Sequence, residues 1–252
     1  MRQYVLPSSY DGESTLTLEK KDSQYFIKVL RLKIGDKIVA ISNEGKTYQL
    51  TLIDFDKTSC TLSSTPLKST EEGESTDSLP SFSGQYPNIH LFQCTCKGKK
   101  NDGIIRMATE MGVRSITLVQ SKYCISKKDK KDNSRYETII KEAKQQSGSP
   151  IPTTFNEVIK IEDLPKIWKD PLIFFHQSKV ESQKDLKTLL KDFPIDRPIG
   201  ILIGSEGGLS DAECDMLMRA DFNPVLLKTN ILRAETASIC AISAVHTLLT
   251  ER

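Results

Sequence analysis

Two short segments of this chain combine residue types that could hold a small ligand and act on it. The first is Gly204-Ser205-Glu206-Gly207-Gly208-Leu209-Ser210, followed by Glu213. The second is Asn230-Ile231-Leu232-Arg233-Ala234-Glu235-Thr236-Ala237. Glycines at 204, 207 and 208 remove Cβ atoms, so backbone N–H and C=O groups can approach a ligand, and each glycine can take positive φ at little cost. Glu206 inside such a loop would repel a pyrophosphate, and the spacing is not the G-x-G-x-x-G of dinucleotide sites. A cationic or neutral ligand suits the loop better. Arg233 brings a permanent positive charge and several donors, which suits it to stabilising an anion. Glu235 could orient Arg233 or accept a proton, and Thr236 could hydrogen-bond a ligand. The same residues also fit plain architecture. Ser210 and Glu213 make an S-x-x-E capping box, and Glu235 and Thr236 would suit the first turn of a helix, where negative charge is favourable.

Each loop follows an apolar run that reads as a buried strand, Ile199 to Ile203 and Val225-Leu226-Leu227. In open α/β sheets, ligands bind at the C-terminal ends of strands, so two loops placed there predict one composite pocket. Strands and helices alternate from Ile89 onward. Ile89 to Thr95 reads as a strand, 102–111 as a helix stopped by Gly112, and Ser115 to Gln120 as the next strand. Ser134 and Glu137 form a capping box for a helix ending near Gln146, after which come Thr153 to Phe155 and Leu172 to Phe175. Such alternation predicts an α/β fold with a parallel sheet flanked by helices. The last helix, 235–249, mixes large apolar residues with Ala237, Ser238, Ala241, Ser243 and Ala244, which allow close approach of another backbone.

The first 66 residues are β-rich, with short alternating runs separated by Gly, Asn and Asp. One helix is expected over 22–32, capped by Asp22, with Phe26, Val29 and Leu30 on one side. A small barrel with one helix fits. Ser, Thr, Glu, Gly and Pro then dominate 67–88, with Glu71, Glu72, Glu74 and Asp77 among them, a composition that cannot bury enough apolar surface to offset chain entropy. The expected organisation is therefore a β-rich domain over 1–66, an acidic linker over 67–88 and an α/β domain over 89–252.

The chain has 252 residues, 38% hydrophobic and 27% charged, with net charge +2. No apolar run approaches the ~20 residues of a membrane helix, and the first residues lack a signal-peptide core, so a cytoplasmic protein is expected. Cys60, Cys94, Cys96, Cys124, Cys214 and Cys240 lack zinc-site spacing and read as reduced thiols; with only three dispersed histidines, no metal is expected. Basic residues cluster at Lys97, Lys99 and Lys100 and again over Lys122, Lys127, Lys128, Lys130, Lys131 and Arg135. With Arg2, Lys28, Arg31 and Lys33 they are candidate phosphate contacts, the alternative being a solvated charged face.

Five motifs in order resemble the SPOUT superfamily of RNA methyltransferases, and within it the bacterial family that methylates N3 of a uridine in small-subunit (16S) ribosomal RNA. They are Val29 to Asp36, Thr109-Glu110-Met111-Gly112-Val113, Glu142 to Ser147, Gly204 to Glu213 and Ile231 to Ala237. The resemblance implies a PUA-like RNA-binding barrel ahead of a domain with a C-terminal trefoil knot threaded from Val225 onward, and a homodimer. It implies S-adenosylmethionine as cofactor and ribosomal RNA or the 30S subunit as partner. Arg233, Glu235 and Thr236 become the catalytic candidates. Ile203, Gly204, Ser205, Glu206, Gly207, Gly208, Asn230, Ile231, Leu232, Arg233, Thr236 and Ala237 are expected at the cofactor, with Leu226 and Leu227 at the adenine edge and Phe175, His176 and Gln177 completing the pocket. Ser205 stands where the family usually has proline, Lys228-Thr229 departs at the entry to the second loop, Gly148 follows Ser147 instead of arginine, and Lys122 replaces a frequent Arg. A sibling acting on a ribose 2′-hydroxyl or another base, and a non-catalytic ribosome-assembly factor, remain the alternatives.

Overall fold

Period-two burial builds the first of two sheets. The protein is described by a computed structural model covering residues 3–7, 9–42, 44–67, 84–125, 133–177 and 183–251. It divides into one unit of Met1–Ser81 with Lys144–Pro152 and a second of Phe82–Ala143 with Thr153–Arg252. In the first, β1 (Tyr4–Val5), β2 (Thr15–Glu19), β3 (Lys37–Ile41), β4 (Thr47–Phe55) and β5 (Ser59–Pro66) lie in the order β1-β3-β4-β5-β2. All pairs are antiparallel except β1 with β3. Leu16, Leu18, Leu50, Leu52, Cys60 and Leu62 point inward with Tyr4 and Phe26, as alternation requires. Among the described residues β1 and β2 are not paired with each other, so the expected barrel is a sheet that hydrogen bonds do not close.

The expected 22–32 helix is different in kind. α1 (Lys20–Gln24) begins at Glu19, not at Asp22, and runs into a π-helical turn over Tyr25–Val29. The wide turn brings Tyr25 and Phe26 against Tyr4, with ring centroids 6.4 and 4.8 Å away. Aromatic packing has overridden the 3.6-residue period there. The segment Lys144–Pro152 groups with this unit, and the buried Gln3 amide donates to the carbonyls of Lys144 and Ser149, both at 3.1 Å.

The second unit is a six-stranded, all-parallel sheet: β6 (Ile89–Cys94), β7 (Ser115–Gln120), β8 (Thr154–Lys160), β9 (Leu172–Phe175), β10 (Ile199–Ile203) and β11 (Asn223–Val225), ordered β11-β9-β10-β6-β7-β8. β9 and β10 are buried throughout and read as unbroken apolar runs, as expected of strands covered on both faces. One face packs under α2 (Lys100–Glu110), α3 (Ser134–Ser147), α5 (Leu186–Leu190) and α7 (Ala234–Thr250). The other packs under α4 (Leu164–Ile167) and α6 (Asp211–Arg219). Among the described residues no helix is long and apolar enough to cross a membrane.

β11 occupies 223–225 and not the expected 225–227. It pairs with β9 only through Asn223, Pro224 and Val225, and Leu226 and Leu227 leave the ladder at the sheet edge. Pro224 fits there because an edge strand can spare an N–H. The chain moves outward from β6 through β7 to β8, then returns on the other side of β6 with β9, β10 and β11. The direction reverses between β6 and β10, and ligands of open α/β sheets bind outside the strand ends at such a reversal.

Candidate active site

A cavity of about 420 Å³ opens at the C-terminal ends of β9 and β10, on the β11 side of that reversal. Three strand ends supply its walls. Phe175, His176 and Gln177 come from β9, Ile203 to Glu206 with Gly208 from β10, and Leu226, Leu227 and Thr229 to Leu232 from the segment after β11. Arg233, Ala234 and Ala237 contribute from the head of α7, and Lys100 from the head of α2. The volume lies within the ~300–1,000 Å³ of small-molecule sites. Of the residues expected at a cofactor, all but Gly207 and Thr236 line it. Lys100, Thr229 and Ala234 line it without having been expected there.

The loop after β10 is a tight turn in which Gly208 N–H donates to the Ser205 carbonyl at 2.9 Å. Only Gly208 of its three glycines has positive φ, +72°. Gly204 is required for space instead, since a Cβ there would lie 2.9 Å from the backbone of Gly208. Gly207 faces away from the cavity, and a Cβ on it would come within 2.7 Å of Tyr123 Cβ. The capping box forms as the spacing predicted: Ser210 N–H and Oγ both donate to Glu213 Oε2 at 2.8 Å. Glu213 Oε1 accepts from Lys122 N–H at 2.7 Å, which ties the loop after β7 to the start of α6.

Glu206 is the charged centre of the turn. Its Oε1 accepts from Lys100 Nζ at 3.0 Å and from Lys97 N–H at 3.1 Å, and Lys100 Nζ also lies 3.7 Å from Glu235 Oε2. Burial pushes the Glu206 carboxyl up, but Lys100 and the nearby N–H groups outweigh it and leave the group below the ordinary carboxylate value. Glu206 in turn raises Lys100. Lys100, expected as a phosphate contact, is instead engaged with carboxylates at the cavity wall. Two polar atoms are buried without a hydrogen-bond partner, Ser205 Oγ in the cavity wall and Glu235 Oε2 beside it.

Sequence reasoning missed Gln93, which is fully buried in β6. Its Nε2 donates to the Cys94 carbonyl at 2.9 Å and the Gly204 carbonyl at 3.4 Å, while the Ser238 hydroxyl donates to its Oε1. One amide thus joins the glycine loop to the second turn of α7. A lone Gln inside an apolar strand was the available signal.

Arg233 is the N-cap of α7, exposed and with extended backbone, and it lines the cavity. Thr236 is exposed on the first turn and does not line the cavity. Lys97 and Lys99 are exposed before α2 and Lys122 after β7; Lys28, Arg31 and Lys33 are exposed in the first unit. Arg2 and the run Lys127, Lys128, Lys130 and Lys131 lie outside the described residues, as does 68–83 of the expected linker. Arg135 pairs with Asp102. All six cysteines are free thiols, and burial, with Glu206 adding to it, pushes Cys96 up to about 12. No cluster of metal-ligating side chains occurs among the described residues.

Comparison with known families decides the kinship. A model described as an RNA methyltransferase domain matches residues 84–246, and one described as an RNA methyltransferase PUA domain matches 18–63. The chain belongs to this RNA methyltransferase family. It is similar to ribosomal RNA small subunit methyltransferase E 2 of Borreliella burgdorferi, 28% identical over 256 residues, spanning 99% of this chain and 98% of that one. It is also similar to ribosomal RNA small subunit methyltransferase E of Bacillus subtilis, 26% identical and spanning 92% and 89%. The crystal structure of a ribosomal RNA small subunit methyltransferase E from Neisseria gonorrhoeae, bound to S-adenosyl methionine, has the same fold, with TM-score 0.80 and 24% identity over 100% of this chain and 99% of that one. The PUA-like and α/β SPOUT-type architecture expected from the motifs is therefore the fold of this chain.

Proposed function

We propose that this chain transfers a methyl group from S-adenosylmethionine to N3 of a uridine in small-subunit ribosomal RNA. One observation carries the reading: the two motif-bearing loops and the end of β9 surround one cavity at the C-terminal edge of the parallel sheet. The names of the relatives and the cofactor held by the Neisseria structure agree with it.

The residues present fit that cofactor. Phe175, Ile203, Leu226, Leu227 and Leu232 offer apolar surface to an adenosine, while Glu206 offers negative charge to a cationic sulfur and amino group. Ser205 Oγ, buried and unpartnered, is available to hydrogen-bond a polar group entering the cavity. When bound, the cofactor supplies an electrophilic methyl on a positively charged sulfur. N3 lies on the Watson–Crick edge, so the base must be unpaired to reach the site. Arg233, at the cavity wall, stabilises the negative charge that appears on the base as the N3 proton leaves. Glu235, on the first turn of α7 with its Oε2 3.7 Å from Lys100 Nζ, orients Arg233 or accepts that proton. The apolar walls keep water from competing for the methyl group.

Residues 1–66 serve as the RNA-binding domain, with Lys28, Arg31 and Lys33 on phosphates, and 89–252 as the methyltransferase domain. The SPOUT resemblance carries with it a trefoil knot formed from Val225 onward, a homodimer and a cytoplasmic site of action. The deciding experiment incubates purified protein and S-adenosylmethionine with small subunits from a strain lacking the modification, then identifies the nucleoside by mass spectrometry. N3-methyluridine is expected. A ribose-methylated product, or none, overturns the proposal.

A further inference from the structure

Tyr123 stands out among the described residues as a large aromatic ring kept in solvent on the outer side of the glycine turn that walls the cavity. It is 43% exposed, on the loop after β7, at the same edge of the sheet as the cavity. Its Cβ and ring carbons rest on Gly207, where an added Cβ would lie 2.7 Å from Tyr123 Cβ and 3.2 Å from Cγ. The glycine turn that presents Glu206 to the cavity is therefore also the seat of this ring. Backbone hydrogen bonds hold the residues on either side of it. Lys122 N–H donates to the buried Glu213 carboxylate at 2.7 Å, and Cys124 N–H donates to the Ser121 carbonyl at 3.1 Å. Lys122 Nζ stands 5.5 Å from the centre of the Tyr123 ring.

Folding gives no reason to leave this ring in water. It belongs to none of the apolar cores, and it occupies the one place where a glycine makes room for it. A fixed aromatic face with an ammonium beside it is the arrangement that binds single-stranded nucleic acid, the ring stacking on a base and the cation meeting a phosphate. We propose that Tyr123 is a stacking platform for an unpaired nucleobase flanking the target uridine, with Lys122 on the adjoining phosphate. The inference rests on the proposed RNA methyl transfer and adds a base-binding site outside the cofactor cavity. A base taken out of its helix loses stacking, and a neighbour held on Tyr123 restores part of it while keeping the target strand beside the cavity.

The test uses the full-length chain and two readouts. Binding of fluorescein-labelled hexauridylate is followed by anisotropy across a salt series, and steady-state methyl transfer is measured on unmodified small subunits. Stacking predicts that Tyr123→Ala weakens hexauridylate roughly tenfold without changing the salt slope. It predicts a similar rise in KM for small subunits, with kcat within about threefold and calorimetric affinity for S-adenosylmethionine unchanged. Tyr123→Phe keeps wild-type behaviour, since the ring and not the hydroxyl stacks, and Lys122→Ala reduces the salt slope by about one. Equal KM for Tyr123→Ala and wild type, or equal loss in Tyr123→Phe and Tyr123→Ala, overturns the platform. Wild-type protein that binds cofactor but methylates no RNA overturns instead the activity on which the inference rests.

Discussion

Lys100 Nζ donates to Glu206 Oε1 at 3.0 Å, and with the Lys97 N–H on the same oxygen at 3.1 Å it joins the head of α2 to the turn after β10. The pair is about one third exposed on each side, so solvent screens it and its share of global stability is small. Its importance is local, because it fixes where the one carboxylate of the glycine turn points. Lys100→Met should therefore weaken S-adenosylmethionine roughly 3–10-fold, while moving Tm by only ~1–2 °C. Calorimetry and a thermal melt on the same preparation check both parts.

The pH dependence follows from the sign of the Glu206 shift. Its carboxyl sits below the ordinary value in the folded protein, so its favourable contacts are complete above the unfolded carboxylate value of ~4.3 and fade only as pH falls through the lower folded value. Cofactor affinity should be flat between pH 5 and 7. A calorimetric series showing a titration inside that window would assign the anionic role to a group other than Glu206.

Gln93 predicts a structural cost with a functional signature. Gln93→Leu keeps the volume but removes the donor to the Gly204 carbonyl and the acceptor for Ser238. A buried polar group left without its partner costs about 1–3 kcal/mol, or roughly 2–10 °C in Tm for a chain of this size. Cofactor affinity should fall with it, since the glycine turn loses its anchor. Gln93→Leu with wild-type Tm and affinity would show that the buried amide positions nothing.

Arg233→Ala should lower the methyl-transfer rate by ~10²–10³-fold, the scale of losing one preorganised donor at a developing anion. Cofactor affinity should change little, because Arg233 is exposed at the rim of the cavity and its proposed role is toward the base. Rapid-quench single-turnover assays alongside calorimetry separate the two effects; a loss confined to cofactor binding would reassign the residue.

The strand pattern of the second unit was legible because buried parallel strands are long apolar runs: Ser115 to Gln120 and Leu172 to Phe175 form strands with those bounds, and the Ser210–Glu213 box forms as its spacing predicts. Local signals failed where tertiary packing set the conformation. Tyr25 and Phe26 take a π turn to reach Tyr4, and β11 ends at Val225 because its ladder with β9 ends there. For the site, the glycine turn and the 230–237 loop could be read as one pocket because both follow strand ends. Individual orientations could not. Gly207 turns toward Tyr123, Thr236 turns to solvent, and Lys100, which reads as one of a basic cluster, is drawn into the wall by Glu206.

The central claim is that the turn after β10 and the loop before α7 grip a sulfonium donor. Titrating S-adenosylmethionine into the purified chain by calorimetry tests it most directly, using Gly204→Ala as the paired variant because its new Cβ would press on the Gly208 backbone at 2.9 Å. The account predicts saturable heat with one site per chain for the wild type and its loss in Gly204→Ala. A flat trace for the wild type, or undiminished binding by Gly204→Ala, would contradict it.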